Sequence, residues 1–272
     1  MSIVRLTTFN ILHESLRNFA PRWTERRALV AETLRALEPD VACLQEVSPG
    51  QLAHLREDLP EFRLLAGEIS GPTQVPSWAG FTAPVLRVIV GGFFVHGEHC
   101  PILIREGSIV AAQQGTWRLE SSAEPRRGAL TPHVVSWARL VDRNGRGLCD
   151  VYNTHLGLVP PTALRAARDL VLRLDESRGV LPQILTGDFN STPGGRVLRA
   201  LLEGGFQDAW EVATHRVGTG QTFHWGYGLP GPRLDYFLLR SAVPVMTMST
   251  SPVRGLRAYP SDHAALTADL DL

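Results

Sequence analysis

Leu185-Thr186-Gly187-Asp188-Phe189-Asn190-Ser191-Thr192-Pro193 is the stretch from which the architecture follows. It closes the strand-like run LPQILTGD, so Asp188 and Asn190 stand where a buried strand stops and a turn begins. The same arrangement recurs on either side of it. TTFNIL carries Asn10, CLQEV carries Glu46, YNTHL carries His155, RLDYFLL carries Asp235, and YPSDH carries Asp262 and His263. Any one of these has an ordinary explanation, since Asp and Asn favour turns and Glu46 reads equally as an exposed strand end. Their recurrence along the chain points instead to strand ends converging on one rim of a sheet.

Between these points, strand-like and helix-like patterns alternate. Thr24 reads as the cap of a helix with Val30, Leu34 and Leu37 at helical spacing and Pro39 beyond its end. VACLQEV reads as a buried strand. A second helix is expected from Pro161, with Leu164, Ala167, Leu170 and Leu174 on one face and Gly179 as its stop. HVVSWARLVD and GLCDVYNTHL flank Asn144-Gly145, the pattern of an antiparallel hairpin. DYFLLR, VMTMST and AALTADLDL supply later strands, so the expectation is a layered α/β sandwich with mixed sheets. No linker, charge block or repeat divides the chain, and a single domain over residues 1–272 is expected. Ser70 to His96, rich in Gly, Pro and aromatic residues, gives no clear pattern.

With 272 residues, 44% of them hydrophobic and 20% charged, the chain can bury a large core. Lys+Arg and Asp+Glu balance at 27 each, so no long-range positive field gathers nucleic acid or an anionic membrane, and phosphate affinity has to be local. Every basic residue is Arg. Cys43, Cys100 and Cys149 are odd in number, widely spaced and without C-x-x-C pairing, which suits a reducing compartment. Cys43 and Cys149 sit in apolar strands and read as small core residues. MSIVRLTTFNIL reads as a strand rather than a signal peptide, and no apolar run is long enough to span a membrane, so a cytoplasmic location is expected.

The rim residues have the composition that a divalent cation plus a phosphate requires. Carboxylate oxygens are hard ligands for Mg²⁺ or Mn²⁺, and amide or imidazole groups can donate to nonbridging oxygens. Mg²⁺ keeps several waters, so Glu46 with Asp262 or Asn10 would suffice; a zinc site would show more clustered ligands. His13, His54, His96, His99, His133, His215 and His224 show no metal-like spacing and read as ordinary hydrogen-bonding residues. Arg126 and Arg127 read as a solvated loop pair.

The motifs TFNIL, LQEV, NTHL, LTGDFNSTP, RLDYFLL and YPSDHAAL, in this order over the whole chain, resemble the endonuclease/exonuclease/phosphatase superfamily, which includes deoxyribonuclease I. LTGDFN and SDH are the specific ones. WARL at Trp137 to Leu140 and QTFH at Gln221 to His224 further resemble a bacterial branch similar to the deadenylases. The resemblance implies a deoxyribonuclease I-like α/β fold: a four-layer sandwich of two packed mixed β-sheets flanked by helices.

It also implies roles. Glu46 corresponds to the principal metal ligand, with Asn10 beside it and Asp262 facing the metal. Asp188 would position or deprotonate the attacking water. Asn190 and His155 would contact the phosphate, and His263 would be oriented by Asp235. The expected reaction is in-line attack of water on the phosphorus of a phosphate-ester substrate, assisted by Mg²⁺ or Mn²⁺. In one departure, CPILIREG lacks the tyrosine that much of the family carries there, and Arg105 is no obvious substitute.

Three functions compete. The first is a phosphodiesterase or nuclease acting on nucleic acid or a nucleotide-like molecule. The second is a phosphomonoesterase acting on a phosphorylated sugar, inositol or lipid head group, and the third is an inactive binding protein on the same fold. Specificity would lie in loops such as Ser70 to Gly92 and Glu211 to Pro232.

Overall fold

The computed structural model describes residues 2–14, 21–65, 67, 97–107, 109–119, 133–225, 229–251 and 259–272. Arg126, Arg127 and the stretch Ser70 to His96 lie outside them. Among the described residues the helices are α1 (Trp23–Leu37), α2 (Pro49–Asp58), α3 (Pro160–Glu176), α4 (Arg196–Glu203) and the single turn α5 (Ala209–Val212). Strands β1 (Ile3–Asn10), β2 (Val41–Gln45), β3 (Phe62–Leu65), β4 (Ile102–Arg105), β10 (His215–Val217), β14 (Val245–Thr250) and β15 (Leu266–Asp271) form a seven-stranded sheet in the order β10-β14-β15-β1-β2-β4-β3. Strands β5 (Ile109–Arg118), β6 (Val134–Asp142), β7 (Gly147–His155), β8 (Gln183–Asp188), β9 (Gln207–Asp208) and β13 (Asp235–Arg240) form a six-stranded sheet in the order β5-β6-β7-β8-β13-β9. A small ribbon pairs β11 (His224–Trp225) with β12 (Leu229–Pro230).

Three apolar clusters separate four layers. Leu6, Cys43, Ile102 and Leu266 from one sheet meet Cys149, Val151, Ile184 and Phe237 from the other. Outside the seven-stranded sheet, Phe9, Ala42 and Leu44 pack on Val30 and Leu34 of α1 and Leu52 and Leu55 of α2. Outside the six-stranded sheet, Tyr152, Leu185 and Leu238 pack on Ala163, Ala167, Leu170 and Leu174 of α3 and Leu198 and Leu201 of α4. This is the expected four-layer sandwich of mixed sheets. No helix among the described residues is long and apolar enough to cross a membrane.

Two crossovers set up the rim. β1 and β2 run parallel with α1 between them in sequence, and β7 and β8 run parallel with α3 between them. Parallel neighbours end on the same side, so Asn10 pairs with Gln45, and His155 pairs with Asp188. Antiparallel β13 begins where β8 ends and places Asp235 opposite Asp188. Because side chains alternate along a strand, Asn10, His155, Asp188 and Asp235 share the inward phase of Leu6, Val151, Ile184 and Phe237. The strands that build the inter-sheet core thus end in its polar lid.

Local details differ from expectation at two helix boundaries. Thr24 does not cap α1: the cap is Arg22, without a side-chain hydrogen bond, and buried Trp23 anchors the first turn, leaving Thr24 inside the helix. α3 starts at Pro160 rather than Pro161 and ends at Glu176 with Ser177 as its cap, before Gly179. The Asn144-Gly145 hairpin is present, with Asp142 Oδ1 accepting from the N–H groups of Asn144 and Arg146 at 2.9 Å each. Cys43 and Cys149, with Cys100, are buried and free.

Candidate active site

Asp188 lies at the centre of the rim. Its Oδ2 accepts from Asn10 Nδ2 at 3.0 Å and lies 3.7 Å from His155 Nε2 and 3.6 Å from His263 Nε2. Asn10 Nδ2 also donates to Glu46 Oε1 at 2.9 Å, joining the two sheets' carboxylates through one amide. Asn190, in the turn after β8, donates through Nδ2 to Leu156 O at 2.8 Å and lies 2.9 Å from His155 Nε2. His263 Nδ1 pairs with Asp235 Oδ2 at 2.7 Å. Asp262 belongs to the same cluster through its charge interactions with His263 and Glu46. Every residue singled out in the sequence as a site residue is therefore brought to one place.

The backbone is held in uncommon conformations to achieve this. Leu12, Glu46 and Asn190 have φ of 58°, 60° and 47°, a left-handed region that non-glycine residues seldom occupy. Asp188 Oδ1 accepts from Asn190 N at 2.8 Å, which shapes that turn. Such strain persists only where neighbouring bonds overdetermine it, and it gathers at functional sites.

Burial and mutual repulsion shift the titrations. Burial, with the charge of Asp235, raises the pKa of Asp188 against the pull of His263 and His155. Burial also raises Asp262 to about 6, with Glu46 adding to the effect. Burial alone would lower the two imidazoles. Instead Glu98, Asp188 and Glu46 outweigh it at His155 and hold its pKa at about 10, while Asp235, Asp188 and Asp262 hold His263 well above its ordinary value.

Several members of the site escape sequence reasoning. Buried Glu98 faces His155 Nδ1 with both oxygens at 3.1 Å, and its only signal in the chain is an acidic residue beside a segment without pattern. Beneath the lid, Gln45 Nε2 donates to Asn153 Oδ1 at 2.7 Å, and Asn153 Nδ2 donates to Leu44 O and Pro101 O, lacing the sheets together. The QTFH segment backs the site. Thr222 Oγ1 accepts from Asp235 N at 3.1 Å, His224 N donates to Asp262 O at 2.8 Å, and the Phe223 ring stands edge-on to His263 with centroids 5.3 Å apart. Arg105 lies elsewhere, donating to Pro39 O and covering the Phe62 ring.

The donor set fits a divalent cation. Ligand atoms of Glu46, His155 and Asp188 lie within 4.8 Å of one another, as do those of Asp188, Asp235 and His263, so the carboxylates can share one cation while the two imidazoles, with their raised pKa, serve as donors. Asp235 Oδ1 is buried without a hydrogen-bond partner among the described residues. Clustered buried carboxylates rich in hard oxygens are stabilised by a hard cation.

A two-sheet α/β sandwich with acidic, amide and imidazole groups on its strand-end rim can hold a cation and a phosphate together. The chain matches the Endonuclease/Exonuclease/phosphatase family over residues 7–263 and belongs to it. Its fold is similar to an endonuclease/exonuclease/phosphatase from Bacteroides vulgatus, with 23% identity, TM-score 0.81 and coverage of 100% of both chains. It is also similar to a mannosyl-6-phosphatase of Bacteroides thetaiotaomicron, with 20% identity, TM-score 0.78 and coverage of 99% of this chain and 100% of that one. D. rerio TDP2, complexed with a single-strand DNA product, matches with 16% identity, TM-score 0.72 and coverage of 100% of both chains. No curated protein matches the chain by sequence.

Proposed function

We propose that this protein is a Mg²⁺- or Mn²⁺-dependent phosphodiesterase acting on nucleic acid or a nucleotide-like substrate. The observation that carries the reading is the position of Asp188 Oδ2, hydrogen-bonded to Asn10 and facing the Nε2 edges of both His155 and His263. A phosphate set against those two edges brings a carboxylate to the water that attacks it.

Glu46, Asp262 and Asn10 would hold the cation, which supplies charge neutralisation at the phosphate oxygens. Asp188 accepts the proton of the attacking water as the water oxygen bonds to phosphorus and the bond to the leaving oxygen breaks. His155 and Asn190 donate to nonbridging oxygens, where charge develops. His263, kept protonated by Asp235, delivers a proton to the leaving oxygen. Phe223, edge-on to His263, also meets Trp225 edge to face with centroids 4.9 Å apart, and the Trp225 ring, 59% exposed, offers a planar base a stacking face that favours a nucleotide-like leaving or flanking group.

Hydrolysis of bis-p-nitrophenyl phosphate and p-nitrophenyl phosphate, each with Mg²⁺, Mn²⁺ or EDTA, tests the proposal with Asp188→Asn as control. Metal-dependent release from the diester, lost in the variant, is expected. Preference for the monoester would replace this reading with a phosphomonoesterase, and activity in excess chelator would remove the metal.

A further inference from the structure

Arg26, in the first turn of α1, is the bulkiest fully buried side chain among the described residues, at 1% exposure. Its described hydrogen bonds all go to backbone carbonyls: Nε to Pro21 O at 2.9 Å, Nη1 to Ile11 O at 2.6 Å and Pro260 O at 2.7 Å, and Nη2 to Leu12 O at 2.9 Å. Burial lowers its pKa to about 10, against the pull of Asp262 and Glu46. A guanidinium spent on carbonyls contributes fixed geometry, since its planar fork sets the relative positions of every acceptor it meets.

The acceptors it meets are those that shape the rim. The turn after β1 carries two aiming bonds: Leu12 N donates to Asn10 Oδ1 at 2.9 Å, and His13 N donates to Glu46 Oε2 at 2.9 Å. Both depend on Leu12 keeping its φ of 58°. Pro260 precedes Ser261, whose Oγ donates to Asn10 O at 2.6 Å and accepts from His263 N at 3.1 Å. One side chain thus ties together the two loops that carry Asn10, Asp262 and His263.

We propose that Arg26 is a positioning residue for the cation-binding corner, holding the Ile11–His13 turn so that its N–H groups aim Asn10 and Glu46. The proposal rests on the reading of Glu46 as a metal ligand. Lysine cannot replace Arg26, because a single ammonium nitrogen cannot reach the same set of carbonyls in one plane.

Mn²⁺ binding by calorimetry, thermal melting and amide exchange test this on the full chain with Arg26→Lys. Leu34→Ala, on the same helix and fully buried, serves as a destabilised control, and Glu46→Gln tests the underlying reading. Arg26→Lys is expected to weaken Mn²⁺ binding by about tenfold or more, the scale on which supporting residues act on a metal site. Exchange at Leu12 and His13 should speed by about an order of magnitude as the turn opens more often. Leu34→Ala is expected to melt lower with Mn²⁺ binding unchanged.

If Arg26→Lys lowers melting alone while Glu46→Gln loses Mn²⁺, the role of Arg26 is overturned and the metal reading stands. Unchanged binding in Glu46→Gln overturns the metal reading and this proposal's link to it. Arg26→Gln, which keeps a planar amide, carries the same measurements if Arg26→Lys does not fold. The unmodified protein supplies a further check: Leu12 and His13 should exchange slowly, and fast exchange at both overturns the proposal.

Discussion

Asp235 grips His263 through a 2.7 Å bond from Nδ1 to Oδ2, which turns the opposite ring edge, Nε2, toward Asp188 at 3.6 Å. The carboxylate both orients the ring and raises its pKa. Asp235→Asn keeps an acceptor for Nδ1 and removes the charge. The imidazolium then loses its proton at lower pH, so the protonated range contracts from the alkaline side. Turnover is expected to fall by about 10²- to 10⁴-fold, with the alkaline limb of the pH–rate profile moving down. An unshifted limb would separate Asp235 from proton transfer.

Asp188 is costly to the fold because burial and the charge of Asp235 both disfavour its ionised form. Asp188→Asn relieves that repulsion while removing the base. Turnover should fall by roughly 10³-fold, in line with loss of a general base, with the fold retained. A fall of more than about 5 °C in circular dichroism melts would mark Asp188 as structural.

Gly187 has φ of 134°, and a Cβ there would collide with Thr154 O on the paired strand. Backbone cannot yield as a flexible side chain can. Gly187→Ala is expected to lose about 3 kcal/mol or more in urea unfolding, as strain and a clash with the ladder combine. Wild-type stability in that variant would show that the β7–β8 spacing is adjustable.

His133 Nε2 accepts the N–H of Gly157 at 2.6 Å. Burial, with the charge of His155 adding to it, pushes the His133 pKa down to about 4 from 6.5. Between those values the unfolded chain binds a proton that the folded protein refuses. Stability is therefore full above the ordinary histidine value and is lost as pH falls toward 4, by about 3 kcal/mol from this group. His133→Gln should flatten that part of a stability–pH series, and an unchanged slope would assign the loss to other groups.

Much of this was legible in the chain because strand ends leave a chemical trace. The runs before Asn10, Glu46, His155 and Asp188 are apolar and regular, so their polar terminators stand out, and the β7–β8 crossover follows from the helical spacing of α3. Glu98, Arg26 and the Gln45–Asn153 pair were invisible because their partners lie far away in sequence: 57 residues for Glu98 with His155, 234 for Arg26 with Pro260 and 108 for Gln45 with Asn153. α2 was different. Its capping box of Ser48 and Gln51 is a local signal that the regular motif LQEV overshadowed. Thr24 and Gly179 each lie two residues from the observed caps, Arg22 and Ser177.

The pairing of β1 with β15 also governs the order of assembly. Thr8 and Leu266 meet at the middle of the seven-stranded sheet, although most of the chain separates them. During synthesis β1 emerges long before its partner and waits, with one edge able to hydrogen-bond, until β15 leaves the ribosome. Asp262 and His263 arrive with the same late segment. The rim cannot be complete before that segment is made, and a nascent chain carries the TFNIL and LTGDFN motifs without yet being able to use them.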